Sequence, residues 1–291
     1  MIDYSASIAI IGAGAVGRAM TQAAINAGRP VIALATRTPE RCDWIAQSDV
    51  LITTDLDAAT KDADVIVLCV PDDLVTSVAS SLGNTAGRLL VHTAGSLDLT
   101  PVSIPNAHPG SLHPVMVLMR GGRGYEALRG AAAAIDGDEV SRPWLHRFAS
   151  DIGMEPMEIA SDKRSLHHLA ASLAGGLLTG VLADAVSLWH EAGIPESMAA
   201  TALGRMVEEI GRTIAEGSGP GPVLGPAARG DIGTLTRHLD ELNRHSPQLQ
   251  GVYRELVERC VAWSVERDIM DGQTARDIHT LMHQRSSCDS C

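Results

Sequence analysis

Gly12-Ala13-Gly14-Ala15-Val16-Gly17 stands directly after the apolar run Ile8-Ala9-Ile10-Ile11 and before an apolar-periodic stretch. Glycines at this spacing, between a strand and a helix, suit a dinucleotide. The first permits a tight turn, the second lets a pyrophosphate reach the backbone, and the third lets helix and strand pack closely. Three other segments concentrate polar chemistry: Val91-His92-Thr93-Ala94-Gly95-Ser96, His108-Pro109-Gly110-Ser111-Leu112-His113-Pro114 and Gly225-Pro226-Ala227-Ala228-Arg229-Gly230-Asp231. The last is a loop rich in Gly and Pro that holds Arg and Asp two residues apart; it is conformationally costly, and such loops usually hold something.

The second strand decides which dinucleotide fits. An NAD site places Asp or Glu about 20 residues past the glycines, on the ribose hydroxyl. Here the run reads Ala35-Thr36-Arg37-Thr38-Pro39-Glu40, with a guanidinium and two hydroxyls where the acid would stand. That donor set fits a 2′-phosphate, so NADP(H) is expected, held by Gly12, Ala13, Gly14, Ala15, Val16, Gly17, Thr36, Arg37 and Thr38. The other reading leaves Arg37 solvated and gives the ribose to Glu40. Val70, Pro71 and Thr93 fall at later strand ends, beside the nicotinamide half.

Each chemical residue has two readings. His92 ends a strand, where open α/β sheets bind ligands. His168, on an Ala-rich helical face, is a proton donor or a hydrogen-bonded core histidine. His113 serves catalysis or satisfies backbone groups. Arg229 suits bidentate clamping of a carboxylate or phosphate, or an ion pair with Asp231 that ties down the loop. His238 and Arg164 are further candidates. No metal site is expected: the chain has 11 His, but H-E-x-x-H is absent, and the adjacent His167 and His168 point about 100° apart on a helix. The Cys288-Asp289-Ser290-Cys291 end reads as a frayed tail over 284–291, and the remaining cysteines as reduced structural thiols.

The elements that must position these groups alternate at first. Strands are expected over 7–11, 30–35, 50–52, 64–70 and 88–92, with helices over 16–27, 39–46, 55–59 and 72–82. Further strands at 131–135 and 156–159 flank a helix starting near Asp138. Strands this apolar are buried on both faces, which indicates a doubly wound, mainly parallel α/β sheet of the Rossmann type. From residue 161 the pattern is all helical: 161–192, 195–216, 231–243, 247–267 and 272–283. The reading is a dinucleotide-binding domain over 1–160 and an all-α substrate and dimerisation domain over 161–291.

Composition narrows the partners. The net charge of −12 argues against nucleic acid and anionic lipid. The apolar stretch 169–186 holds Ser172, Thr179 and Asp184 and reads as a buried helix rather than a membrane span. The chain runs straight into its first strand without a signal-peptide pattern, so a cytoplasmic protein is expected.

These motifs together resemble the bacterial Rossmann-like oxidoreductases that carry a C-terminal helical domain of unknown function, relatives of ketopantoate reductase, pyrroline-5-carboxylate reductase and 6-phosphogluconate dehydrogenase. The resemblance rests on the Gly12–Gly17 loop, His92-Thr93-Ala94-Gly95, Ser111-Leu112-His113-Pro114, the Gly225–Asp231 segment, His238-Leu239 and Tyr253-Arg254-Glu255-Leu256. It implies hydride transfer from NADPH to a C=O or C=N bond of a small, acidic metabolite between the domains, with a proton from His168 or His92, and a homodimer. In the family, a Tyr precedes the matching His and an Asn follows about two turns later. Here His167 and Gly176 occupy those places. The alternatives are an NADP-binding sensor or partner protein without turnover, and a deazaflavin-dependent NADP reductase.

Overall fold

The computed structural model describes residues 2–3, 5–45, 49–119, 123–217 and 225–284. In chain order, β1 (Ile8–Ile11), α1 (Ala15–Asn26), β2 (Val31–Ala35), β3 (Leu51–Thr53), α2 (Leu56–Thr60), β4 (Val65–Leu68), α3 (Val75–Ser81) and β5 (Leu89–His92) wind the first half. They are followed by β6 (His108–Pro114), β7 (Ala132–Gly137), α4 (Ser141–Asp151) and β8 (Glu155–Glu158). The sheet order is β3-β2-β1-β4-β5-β6-β7-β8, parallel throughout except for the β6–β7 pair.

Side-chain alternation sorts the core into two layers, because successive strand residues face opposite sides. Ile8 and Ile10 join Met20 of α1 and Trp144 and Phe148 of α4 on one face. Ala9 and Ile11 join Ala59 of α2 and Val75 and Ala79 of α3 on the other. With both faces covered, β1 and β4 are buried along their whole length. The doubly wound α/β architecture read from the sequence is therefore the observed one.

Local differences have local causes. The helix expected over 39–46 is two 3-10 turns, Pro39–Arg41 and Asp43–Ile45. Cys42 and Ile45 enter the core three positions apart, the repeat of a 3-10 turn. The helix expected near Asp138 begins at Ser141, because the Asp138 carboxylate accepts the amides of Val140 and Ser141 at 2.9 and 2.7 Å. The sequence reading has no strand at β6. Its Pro109 and Pro114 mask a strand whose inner residues, Gly110 to Leu112, are buried.

The chain divides into two compact units, Met1–Leu178 and Thr179–Cys291. The first therefore extends past residue 160 and includes α5 (Arg164–Ala174), which a 3-10 turn at Ser161–Lys163 precedes. The single helix expected over 161–192 is broken at Gly175, and α6 (Gly176–Glu191) follows. The stretch 169–186 is not buried as expected. Ser161–Glu191 is long and apolar enough to cross a membrane by length and composition, with 6% of its window buried in the single chain.

The second unit adds α7 (Glu196–Glu216), α8 (Ile232–His245), α9 (Gln250–Glu266) and α10 (Gly272–His283). Its core is Ala227, Leu235, Val257, Val261, Met270, Ile278 and Met282. Most of the tail over 284–291, with both of its cysteines, lies outside the described residues, as does most of the linker after Gly217.

Candidate active site

The glycine loop has the form its spacing implies. Gly12 has a φ of +106°, and a β-carbon there would collide with the carbonyl of Cys69 at the end of β4. One on Gly17 would strike the Gly12 carbonyl, whereas one on Gly14 would meet nothing within 4 Å. The turn is closed against its own backbone and open outward at Gly14. Gly14 is also the N-cap of α1 and gives it no side-chain cap, so the helix presents free amides to an anion.

Beside this loop lies a cavity of about 460 Å³ lined by Gly14, Arg18, Thr38, Arg41, Trp44 and Arg123, among others, with no carboxylate among the described residues of its wall. The Arg18 guanidinium stands 5.1 Å over the Trp44 ring. Arg37 is exposed, and no acid follows β2 until Glu40. Such a wall fits a phosphate-bearing dinucleotide. Reading by the strand-two rule finds Arg37 and misses Arg18, Arg41 and Arg123. The first two had a signal in the sequence, one residue past Gly17 and four past Arg37. Arg123 follows β6, the strand the sequence reading lacks.

Farther along the same carboxyl edge, β5 ends in His92, which is fully buried. Its Nε2 lies 2.9 Å from the Asp98 carbonyl, to which it donates, and its Nδ1 has no hydrogen-bond partner. Burial pulls its pKa down to about 4. His92 thus braces the turn after β5 and does not open onto a cavity. Thr93 spends its hydroxyl on the Leu68 carbonyl at 3.2 Å. Val70 and exposed Pro71 follow β4 at the same edge.

Gly95 is where the histidines converge. A β-carbon there would overlap the His168 ring and lie 2.8 Å from His113 Nε2. His113 Nδ1 is 3.2 Å from His167 Nε2, and the His113 and His168 rings meet edge-on at 5.7 Å. Burial, then the neighbouring His167 and Arg164, push the His113 pKa down to about 3. Burial, then the neighbouring Arg164 and His168, lower the His167 pKa as well. His113 and His168 line a cavity of about 360 Å³ with Val117, Ser172, Gly175 and Gly176.

Arg164 holds this arrangement together. It is 1% exposed, and its guanidinium donates to Ser111 Oγ at 2.5 Å, Ala94 O at 3.0 Å and Ala134 O at 3.3 Å. One side chain at the start of α5 thereby ties the loop before Gly95 to β6 and β7. Burial lowers its pKa, opposed by the nearby Asp136 carboxylate.

In the second unit, Gly225 and Gly230 have positive φ, and Ala227 and Ala228 are buried. Arg229 is exposed. Asp231 is the N-cap of α8 and accepts from Thr234 N at 3.0 Å and Thr234 Oγ1 at 2.7 Å. Those hydrogen bonds lower its pKa. The carboxylate is thus engaged with the helix end. His238 Nδ1 lies 2.8 Å from the Tyr253 hydroxyl, beside a cavity of about 490 Å³.

Residues 7–95 match the family model described as NADP oxidoreductase, coenzyme F420-dependent, and residues 131–260 match a domain of unknown function, DUF2520. Pyrroline-5-carboxylate reductase of Mycobacterium tuberculosis is 37% identical over 89 residues, which is 30% of this chain and 30% of that one. Glycerol-3-phosphate dehydrogenase [NAD(P)+] of Rhizobium etli is 26% identical over 80% of this chain and 76% of that protein. The crystal structure of a putative NADP oxidoreductase from Bacteroides fragilis superposes with a TM-score of 0.72 at 22% identity, covering 88% of this chain and 98% of that one.

Proposed function

We propose that this chain, which joins an NADP oxidoreductase domain over residues 7–95 to a DUF2520 domain over residues 131–260, reduces a C=N or C=O bond of a small, acidic metabolite. The observation that carries the reading is the cavity bounded by His113 and His168, on the same sheet edge as the glycine cradle. NADPH supplies the hydride when bound. Gly14 and the open end of α1 receive its pyrophosphate, and Arg37, Arg41 and Thr38 receive the 2′-phosphate. His168 hands a proton to the nitrogen or oxygen of the reduced bond. His113, held neutral, walls the cavity and is hydrogen-bonded to His167 behind it. His92 and Arg164 are positioning residues. Arg229 is the proposed holder of the substrate's anionic group.

A pyrroline is a cyclic imine, and the likeness to pyrroline-5-carboxylate reductase supports imines as first substrates to test. Purified protein should oxidise NADPH with cyclic imines or keto acids, and His168→Ala should lower kcat about a hundredfold with cofactor affinity unchanged. An unchanged kcat would remove His168 from the chemistry. A second reading comes from the description of the N-terminal family, which names coenzyme F420, a deazaflavin. NADPH-driven reduction of a deazaflavin, without turnover of imines or keto acids, would favour it.

The same reading includes a homodimer. Leu166, Leu169, Leu173 and Leu177 are 54–65% exposed at helical spacing, and Met206, Ile210 and Ile214 repeat the pattern on α7. Apolar stripes of this extent call for a cover, and a second copy of the chain is the proposed one.

A further inference from the structure

We infer that Glu258, His279 and His283 form a binding site for a divalent transition-metal ion of the zinc class, at the junction of α9 and α10. The three side chains bring one donor atom each to within 4.8 Å of one another. Glu258 Oε1 lies 3.0 Å from His279 Nδ1 and 3.5 Å from His283 Nδ1. The two rings are 4.1 Å apart, one turn from each other on α10. Zinc–ligand bonds of about 2.0–2.1 Å in tetrahedral array place neighbouring donors about 3.3 Å apart. The two Glu258–histidine separations straddle that edge length, and with all three donors within 4.8 Å of one another side-chain rotation closes the set around an ion.

The backbone under the site is fixed. Ile278 and Met282, each one position before a site histidine, are buried in the core of the second unit, which sets the rotation of α10. Arg254, one turn before Glu258 on α9, donates to the carbonyls of Leu281 and Met282. That guanidinium caps the last turn of α10 and ties it to α9 beside the donors. His283 Nδ1 also lies 2.9 Å from the His279 carbonyl. Loading the ion exchanges this hydrogen bond, and the proton it carries, for a coordinate bond.

The donor set selects the metal. Two imidazoles with one carboxylate suit zinc and its neighbours, whereas magnesium and calcium prefer all-oxygen shells. The site is at the surface, with both histidine side chains more than half exposed, so water supplies the fourth ligand. The ion joins two helices of the second unit. This is independent of the proposed reductase chemistry, which uses neither helix.

The test is calorimetric titration of the full chain, free of any polyhistidine tag, with zinc chloride, beside thermal melts with and without the metal. One equivalent should bind and raise Tm, and magnesium chloride should do neither. Glu258→Gln and His279→Asn, which preserve shape, should each weaken zinc binding more than about tenfold and abolish the Tm rise. The double variant Cys288→Ser/Cys291→Ser should bind as the parent does. The inference is overturned if zinc does not bind, if it binds equally well to both helix variants, or if only the cysteine variant loses it. Far-ultraviolet circular dichroism confirms that each variant is folded before titration.

Discussion

At the scale of single residues, the candidate site is a set of imidazoles arranged by one buried guanidinium. Arg164 donates to one carbonyl of the loop after β5 and one of β7, and burial, with Arg164 beside them, depresses His92, His113 and His167. The sign of the pH effect follows. The unfolded chain titrates these histidines near 6.5, while His92 and His113 in the fold titrate near 4 and 3. Below about pH 6.5 the unfolded state binds more protons, so stability falls as pH falls, by up to roughly 1.4 kcal/mol per pH unit for each group. Urea denaturation between pH 7 and pH 4 should show this slope, and His92→Asn should reduce it; an unaltered slope would acquit His92. The cofactor reading is tested at this scale as well. Arg37→Ala and Arg41→Ala should each weaken NADPH about tenfold in a fluorescence titration and leave NADH unchanged. Equal losses for both cofactors would place these cations away from the 2′-phosphate.

At the scale of elements, the parallel strands were readable because burial on both faces writes them as short apolar runs. Those at 64–70 and 88–92 differ from β4 and β5 only at their ends. Strand β6 was not readable, since its two prolines, two histidines and glycine suggest a loop. Only its neighbours β5 and β7, far apart in sequence, make it a strand. The same is true of the site. His113 and His168 were each visible as candidates, but their meeting across Gly95 depends on tertiary packing. Arg18 and Arg41 had a local signal, but their meeting with Arg123 around one cavity was hidden for the same reason. In the Gly225–Asp231 segment, Asp231 caps α8. Asp231→Ala should lower stability by about 1 kcal/mol in chemical denaturation, while Asp231→Asn, a competent cap, should restore it. Were Asp231 a catalytic group instead, both variants would lose turnover at unchanged stability.

At the scale of the whole molecule, charge and apolar surface are unevenly spread. A chain of net charge −12 gathers Arg18, Arg41 and Arg123 around one cavity. Field lines focused there favour an anionic ligand over the acidic remainder of the surface. Apolar exposure is concentrated on α5, α6 and α7. Sedimentation velocity should report a dimer, and replacement of Leu177 and Ile210 by Glu should shift it to monomer without loss of helical signal. A parent chain that sediments as a monomer would leave the apolar helices to another cover.

Gly95 bears on how such a pocket can change over generations. Two histidines rest where its side chain would be, so the position admits only hydrogen without prying the pair apart. A β-carbon on Gly176, on the rim of the same cavity, would meet nothing within 4 Å. Variation in this pocket therefore has an asymmetric route: position 95 is locked by the two rings against it, and a β-carbon is accommodated at 176, so substitutions should accumulate at 176 while 95 stays glycine.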